Sequence, residues 1–228
     1  MPEIPPECAE ISTLLPDYVR LACMHTQDAA PDVFDAEQLL IEKAVTKRRS
    51  EFSAGRCCAR QALRALGRAD APILHDQNGA PLWPQGIVGS ITHSSTYAAA
   101  ALAEGSKLQG LGIDMETVSR VSSKITDKIL TAAEKKTVQS LADPTEQQSR
   151  TALYFSAKEA IYKCLHPLLQ CRIGFKDARI ECETDRRSLK IFMCPRIQSL
   201  LSGEDHMHGR YCYFNSTVCT VIWLTRNP

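Results

Sequence analysis

Helical periodicity occurs twice along this chain, and each time it gives way to strand-like runs. From Asp35 to about Leu66, apolar residues recur at Leu39, Leu40, Val45, Phe52, Ala59, Ala62, Leu63 and Leu66, the spacing of one helix face, and Gly67 is a fitting stop. Gly55 in the middle marks a break or a close approach to a neighbour. Residues 15–25 read as a strand before this stretch. After it, Asn78-Gly79 signals a hairpin turn, IVGSITHSSTYAAAALA reads as strand, polar turn, strand, and LQGLGIDMETV as another strand. The helical pattern returns over 122–142 and 146–169, with Thr145 as a cap and Pro167 perturbing the last turn. ARIECE, SLKIFM, GRYCYFN and TVCTVIWL complete the chain as strands. We therefore expect an α+β fold of two similar halves, 1–112 and 113–228, with the boundary near 110–120.

Charge and cysteine usage narrow the setting. With 27 basic against 26 acidic side chains the net charge is +1, which argues against a general nucleic-acid or polybasic membrane binder. The longest apolar runs, such as Ala98 to Ala103, fall far short of the roughly twenty residues of a spanning helix, so no transmembrane segment is expected. MPEIPPECAE has neither a basic region nor an apolar stretch of the signal-peptide kind, which points to the cytoplasm. The 10 cysteines include no C-x-x-C pair, and in a reducing compartment they read as small buried hydrophobes.

Chemistry concentrates in three short motifs. In Gly112-Ile113-Asp114-Met115-Glu116, an extended backbone projects Asp114 and Glu116 to one side and Ile113 and Met115 to the other. Paired hard oxygen donors suit Mg²⁺, although a D-x-E alone is more often a polar strand end. In Phe155-Ser156-Ala157-Lys158-Glu159-Ala160-Ile161-Tyr162-Lys163, Glu159 and Lys163 stand one helical turn apart. Such a pair is ordinarily a solvated one, but Ala157, Ala160, Ile161 and Cys164 surround it with packing residues. Together with the D-x-E pair it would make a metal–phosphate site with a base and an electrostatic stabiliser. Gly89-Ser90-Ile91-Thr92-His93-Ser94 places hydroxyls around one histidine, and Lys47-Arg48-Arg49 with the Arg56, Arg60, Arg64 stripe would suit a phosphate or nucleotide.

In order, R-x-x-F-x-x-G-R, G-S-I-T-H-S, G-I-D-M-E and F-S-A-K-E-A-x-x-K resemble a 4'-phosphopantetheinyl transferase of the surfactin type, most closely the enterobactin synthase component D branch. The motifs span Arg49 to Lys163 and the chain length matches the family domain. The resemblance implies a monomer of two α+β halves about a pseudo-twofold axis. Coenzyme A would lie between them as substrate, with Mg²⁺ as cofactor. The activity implied is transfer of 4'-phosphopantetheine from coenzyme A to a serine of an apo acyl or peptidyl carrier protein, releasing 3',5'-ADP. Peptide, siderophore, fatty-acid or polyketide assembly would be served.

By the same resemblance Asp114, Glu116 and Glu159 fall on metal ligands, and Glu159 also on the base. Lys163 falls on the lysine that neutralises the leaving phosphate, and Thr92 and His93 on coenzyme contacts. Arg49 and Arg56 match the arginines bordering the 3'-phosphate and adenine pocket. Two positions depart from the pattern: Phe155 stands where many members have tryptophan, and Ala80 where the surfactin-type enzyme has a phosphate-binding lysine. Family carriers are acidic helical modules, so we expect a local docking patch over Val118–Leu141, with Lys124, Lys128, Lys135 and Lys136. Two other readings use the same residues: a Mg²⁺-dependent coenzyme A pyrophosphate hydrolase, and an inactive coenzyme A-binding module.

Overall fold

The computed structural model describes residues 4–28, 33–122 and 125–226. Its first half runs α1 (Ala9–Ser12), β1 (Arg20–His25), α2 (Asp35–Gln38), α3 (Thr46–Ala65), β2 (Ile87–His93) and β3 (Tyr97–Glu104). The second runs β4 (Gly110–Thr117), α4 (Thr126–Ile129), α5 (Ala132–Gln139), α6 (Pro144–Leu169), β5 (Ala178–Glu183), β6 (Ser188–Met193), α7 (Pro195–Gln198), β7 (Asp205–Phe214) and β8 (Thr217–Arg226). The strands form two antiparallel sheets, ordered β1-β3-β2 and β4-β8-β7-β6-β5. One unit is thus used twice: a strand, a long helix, then a hairpin whose second strand pairs back on the first. The second copy adds β6 and β5 beyond β7. β4 belongs whole to the second sheet, so the change of sheet falls in 105–109.

Strand alternation explains the layering. In β3, Ala98, Ala100 and Leu102 pack against α3, while Ala99, Ala101 and Ala103 face the other sheet. In β4, Leu111, Ile113 and Met115 enter that same inter-sheet core with Val221 and Trp223 of β8. The even positions of β4 turn to α6, where Gly112 lies so close that a Cβ would collide with the Ala160 carbonyl oxygen. The order of layers is α3, first sheet, second sheet, α6.

β2 and β4 run side by side in the same direction across the seam between the sheets. Side chains bridge them: Thr92 Oγ1 accepts the Met115 N–H at 3.0 Å and the Ser90 hydroxyl donates to the Ile113 carbonyl at 3.5 Å.

Several local readings are refined. The stretch from Asp35 divides into α2, a 3-10 turn at Leu39–Ile41 and α3, because Val45 is extended at the start of α3. Gly55 does not break α3; it is a close approach, a Cβ there meeting Ile91 Cγ2 at 2.8 Å. Gly67 closes the stretch at φ 71. The 122–142 stretch is two short helices, α4 and α5. α6 is capped by Asp143, which accepts the Thr145 N–H at 2.8 Å, and not by Thr145. Pro144 needs no N–H partner and presets the first turn, so the helix starts ahead of Thr145. Asn78-Gly79 is a turn without a ladder, held by Asp76 Oδ1 accepting from Asn78 and Ala80, with one bridge from His75 to Pro81.

A matched pair of buried ion pairs repeats with the unit. Glu37 of α2 accepts from Arg60 of α3 at 2.8 Å, from Ile73 N at 2.8 Å and from Phe34 N at 3.0 Å. Glu134 of α5 accepts from Lys158 of α6 at 2.6 Å, from Ile180 N at 2.8 Å and from Thr131 N at 2.7 Å. Each acid closes a helix start and ties a long helix to a distant segment. Of the stripe Arg56, Arg60, Arg64, the first two are buried, while Arg64 is exposed and pairs with Asp70. Of the lysines expected at a docking patch, Lys135 is tied to Asp127, and Lys124 falls outside the described residues. The 10 cysteines carry free thiols, several of them filling the cores. Among the described residues, no helix is long and apolar enough to cross a membrane.

Candidate active site

Because β4 alternates and α6 crosses it at Gly112, Asp114 and Glu116 face the helix that carries Glu159 and Lys163. Lys163 Nζ donates to Asp114 Oδ1 at 2.7 Å and to the Ile113 carbonyl at 3.2 Å. The other Asp114 oxygen, Oδ2, is buried with no hydrogen-bond partner. Burial pushes the Glu116 carboxyl up to about 8, reinforced by Asp114 and Glu159 and opposed by Lys163. Burial also raises Glu159, again with Asp114 adding and Lys163 opposing.

Two adjoining cavities open here. The larger, about 350 Å³, is lined by Arg48, Arg56, Thr92, His93, Asp114 and Glu116, and reaches Lys163. The smaller, about 170 Å³, lies against Glu159, Tyr162, His166 and Ala80 and shares Lys163 with the first. The structure thus brings together Arg56, Thr92, His93, Asp114, Glu116 and Lys163, with Glu159 on the adjoining wall.

Arg49 is not among them. Its guanidinium donates to the backbone carbonyls of Ala44, at 2.9 Å, and Glu42. Arg48 faces the cavity instead and donates to His93 Nε2 at 2.7 Å. Glu51 stands beneath, 3.7 Å from His93 Nδ1, 4.0 Å from Arg48 and 3.8 Å from Lys47. Burial, together with the Arg48 and Lys163 charges, holds the His93 imidazole below its ordinary range against the opposing pull of Glu51. Arg56 is fixed by its Nε bond to the Ile73 carbonyl at 2.7 Å and lies over the Phe52 ring at 4.2 Å. Burial lowers its pKa to about 10, which leaves it charged at neutral pH.

Sequence reasoning missed Glu51 and His75 on this wall and assigned the pocket arginine to Arg49 instead of Arg48. The K-R-R run named the neighbourhood but not which arginine turns inward, since that depends on where α3 starts.

Among the described residues, no three His, Cys, Asp or Glu side chains are gathered to hold a metal ion. Three carboxylates repel one another, and Lys163 already neutralises one Asp114 oxygen. The donor chemistry nonetheless fits a hard divalent cation. Asp114 Oδ2 lacks a partner, and Glu116 is destabilised as an anion by burial and by its acidic neighbours.

Family models match most of the chain: the 4'-phosphopantetheinyl transferase N-terminal domain over 36–103 and the 4'-phosphopantetheinyl transferase superfamily over 110–221. The chain is 37% identical to the 4'-phosphopantetheinyl transferase Npt of Nocardia iowensis, over 77% of this chain and 78% of that one. It is 37% identical to PptT of Mycobacterium tuberculosis, over 82% and 84%. The enterobactin synthase component D of Salmonella typhimurium is 28% identical, over 82% and 77%.

Proposed function

The chain belongs to the 4'-phosphopantetheinyl transferase superfamily, and on that premise we propose how it moves phosphopantetheine from coenzyme A to a serine of an apo carrier protein. The observation that carries the assignment of roles is the Lys163–Asp114 pair, standing where two cavities meet between a cationic and an acidic wall. Arg48, Arg56 and His93 supply donors for the phosphates and Thr92 fixes the strand that presents His93. Ala80, on the smaller cavity, offers no charge, and Arg48 on the larger one supplies a phosphate donor.

Glu159, its carboxyl raised by burial, accepts the serine proton as the serine oxygen–phosphorus bond forms. The bond to 3',5'-ADP breaks, and Lys163 neutralises the charge gathering on the phosphate. Asp114, Glu116 and Glu159 would hold Mg²⁺, which when bound supplies charge neutralisation at the phosphate oxygens. Monomeric action in the cytoplasm completes the reading.

The test is the intact mass of an apo carrier protein incubated with this protein, coenzyme A and Mg²⁺. A gain of one phosphopantetheine, abolished by chelator, is the expected result. Coenzyme A consumed with no gain would favour the hydrolase, and no gain with coenzyme A intact would favour a binding module.

A further inference from the structure

β8 sets a threonine directly across from the acid that Lys163 holds. Asp114 and Thr220 are register partners in the β4–β8 ladder. The neighbours of Thr220 fix its direction. Val218 and Ile222 pack in the core beneath α6 with Ala157, Ala160 and Ile161, whereas Cys219 and Val221 enter the inter-sheet core. Strand alternation therefore turns Thr220 to the α6 side, the side to which Asp114 also turns. Side chains opposed in this way stand roughly 5 Å apart at Cβ.

Each of the two carries an orphaned atom. Asp114 Oδ2 and Thr220 Oγ1 are buried, and among the described residues neither has a hydrogen-bond partner. Thr220 is 0% exposed and Asp114 4%, so solvent does not supply one. Buried polar groups are rarely left unpaired, and these two are complementary, an acceptor without a donor facing a donor without an acceptor. The other donors at this point are committed. The Ser156 hydroxyl donates to the Asp114 carbonyl at 3.2 Å, and Lys163 donates to Asp114 Oδ1 and to the Ile113 carbonyl. A change of rotamer at Thr220 moves Oγ1 about the Cα–Cβ bond and leaves the ladder intact.

We infer that Thr220 is a positioning residue for Asp114, its hydroxyl turning to donate to Oδ2 when the site is loaded. The inference rests on the transferase reading and adds to it the group that steadies the metal-side carboxylate from inside the fold. Lys163 serves both Asp114 and the phosphate. As its ammonium is drawn to phosphate charge, its hold on Asp114 weakens, and a buried carboxylate then needs a second donor. A carboxylate oxygen accepts at two lone pairs, so a hydroxyl on one leaves the other for Mg²⁺. Partners of this kind orient a ligand, and their loss typically costs about 10–100-fold in metal affinity.

Calorimetric titration of Mg²⁺ into the protein loaded with coenzyme A tests the role. Thr220→Val keeps the side-chain shape without the hydroxyl and should weaken Mg²⁺ binding by at least about tenfold. The Mg²⁺ concentration for half-maximal transfer should rise by the same factor, with kcat at saturating Mg²⁺ little changed. Thr220→Ser, which restores the hydroxyl, should return both to wild-type values. Without metal or coenzyme, the melting temperature of Thr220→Val should not fall, because no hydrogen bond is lost there. Unchanged Mg²⁺ binding in Thr220→Val, or a weakening that Thr220→Ser does not restore, overturns the positioning role. So does a melting temperature that falls in step with the lost binding, which would assign the hydroxyl to structure alone. Absence of transfer by a wild-type protein that binds Mg²⁺ would instead overturn the transferase reading.

Discussion

Lys163 reaches across from α6 to hold one oxygen of Asp114 on β4, 2.7 Å away, and leaves the other oxygen buried and free. The ammonium is thus poised between an acidic wall and the cavity in which phosphate would sit. Lys163→Met should lower kcat by about 10²–10³, the scale of losing one electrostatic stabiliser, and leave the protein folded. Steady-state transfer kinetics with circular dichroism check both parts; a near-normal kcat would remove the lysine from the mechanism.

The two neighbouring arginines make opposite contacts, so they separate cleanly. Arg48→Ala should weaken coenzyme A binding by at least about tenfold, as expected for a lost charge-assisted hydrogen bond. Arg49→Ala removes bonds to its own helix entry and should change binding less than about twofold. Isothermal titration calorimetry with coenzyme A measures each, and equal losses would contradict the inward position of Arg48.

His93 is held neutral in the folded protein, so its folded pKa lies below the unfolded 6.5. Between those two values the unfolded chain binds more protons than the native one. Stability is therefore fully present above pH 6.5 and is lost as pH falls toward the folded value. NMR titration of the imidazole should place it below 6.5, and Arg48→Ala should move it upward. Denaturant titrations of His93→Gln should show a shallower fall in stability over the same window.

Glu134 is buried with Lys158 and closes the start of α5. Glu134→Ala leaves an uncompensated ammonium and should cost about 3–5 kcal/mol. For a chain of this size that lowers Tm on the order of 10 °C, measurable by calorimetry. The transfer rate per folded molecule should change little.

Gly112 and Gly203 are a matched contrast. A methyl group at Gly112 meets the Ala160 carbonyl, whereas at Gly203 nothing lies within 4 Å. Gly112→Ala should force β4 and α6 apart, displacing Glu159 and Lys163 from Asp114 and costing about 1–3 kcal/mol. Gly203→Ala should be neutral in both melting and transfer assays.

Much of the site was legible because β4 obeys strand alternation: reading Gly112 to Glu116 by twos put Asp114 and Glu116 on one side and Ile113 and Met115 on the other, which the fold makes the core side. The order of helices and strands also carried the repeated unit. What escaped depends on packing between distant segments. Glu37 and Glu134 look like ordinary solvated helix acids, and only the docking of α3 and α6 buries them. Gly55 left two readings open until β2 was seen beside it. Thr145 has the chemistry of a cap, but Pro144 moved the helix start back to Asp143.

The side-by-side course of β2 and β4 has a thermodynamic consequence. The first half lends the seam Arg48 and Arg56 and the second Asp114 and Glu116, with Glu51 and Lys163 the opposite charge in each half. A polyphosphate ligand on the first wall, with a cation at the second, would bridge the two halves. Filling the cleft would therefore tie the halves together, and the melting temperature should rise with ligand concentration. A substrate seated there would serve as a removable strut in the joint.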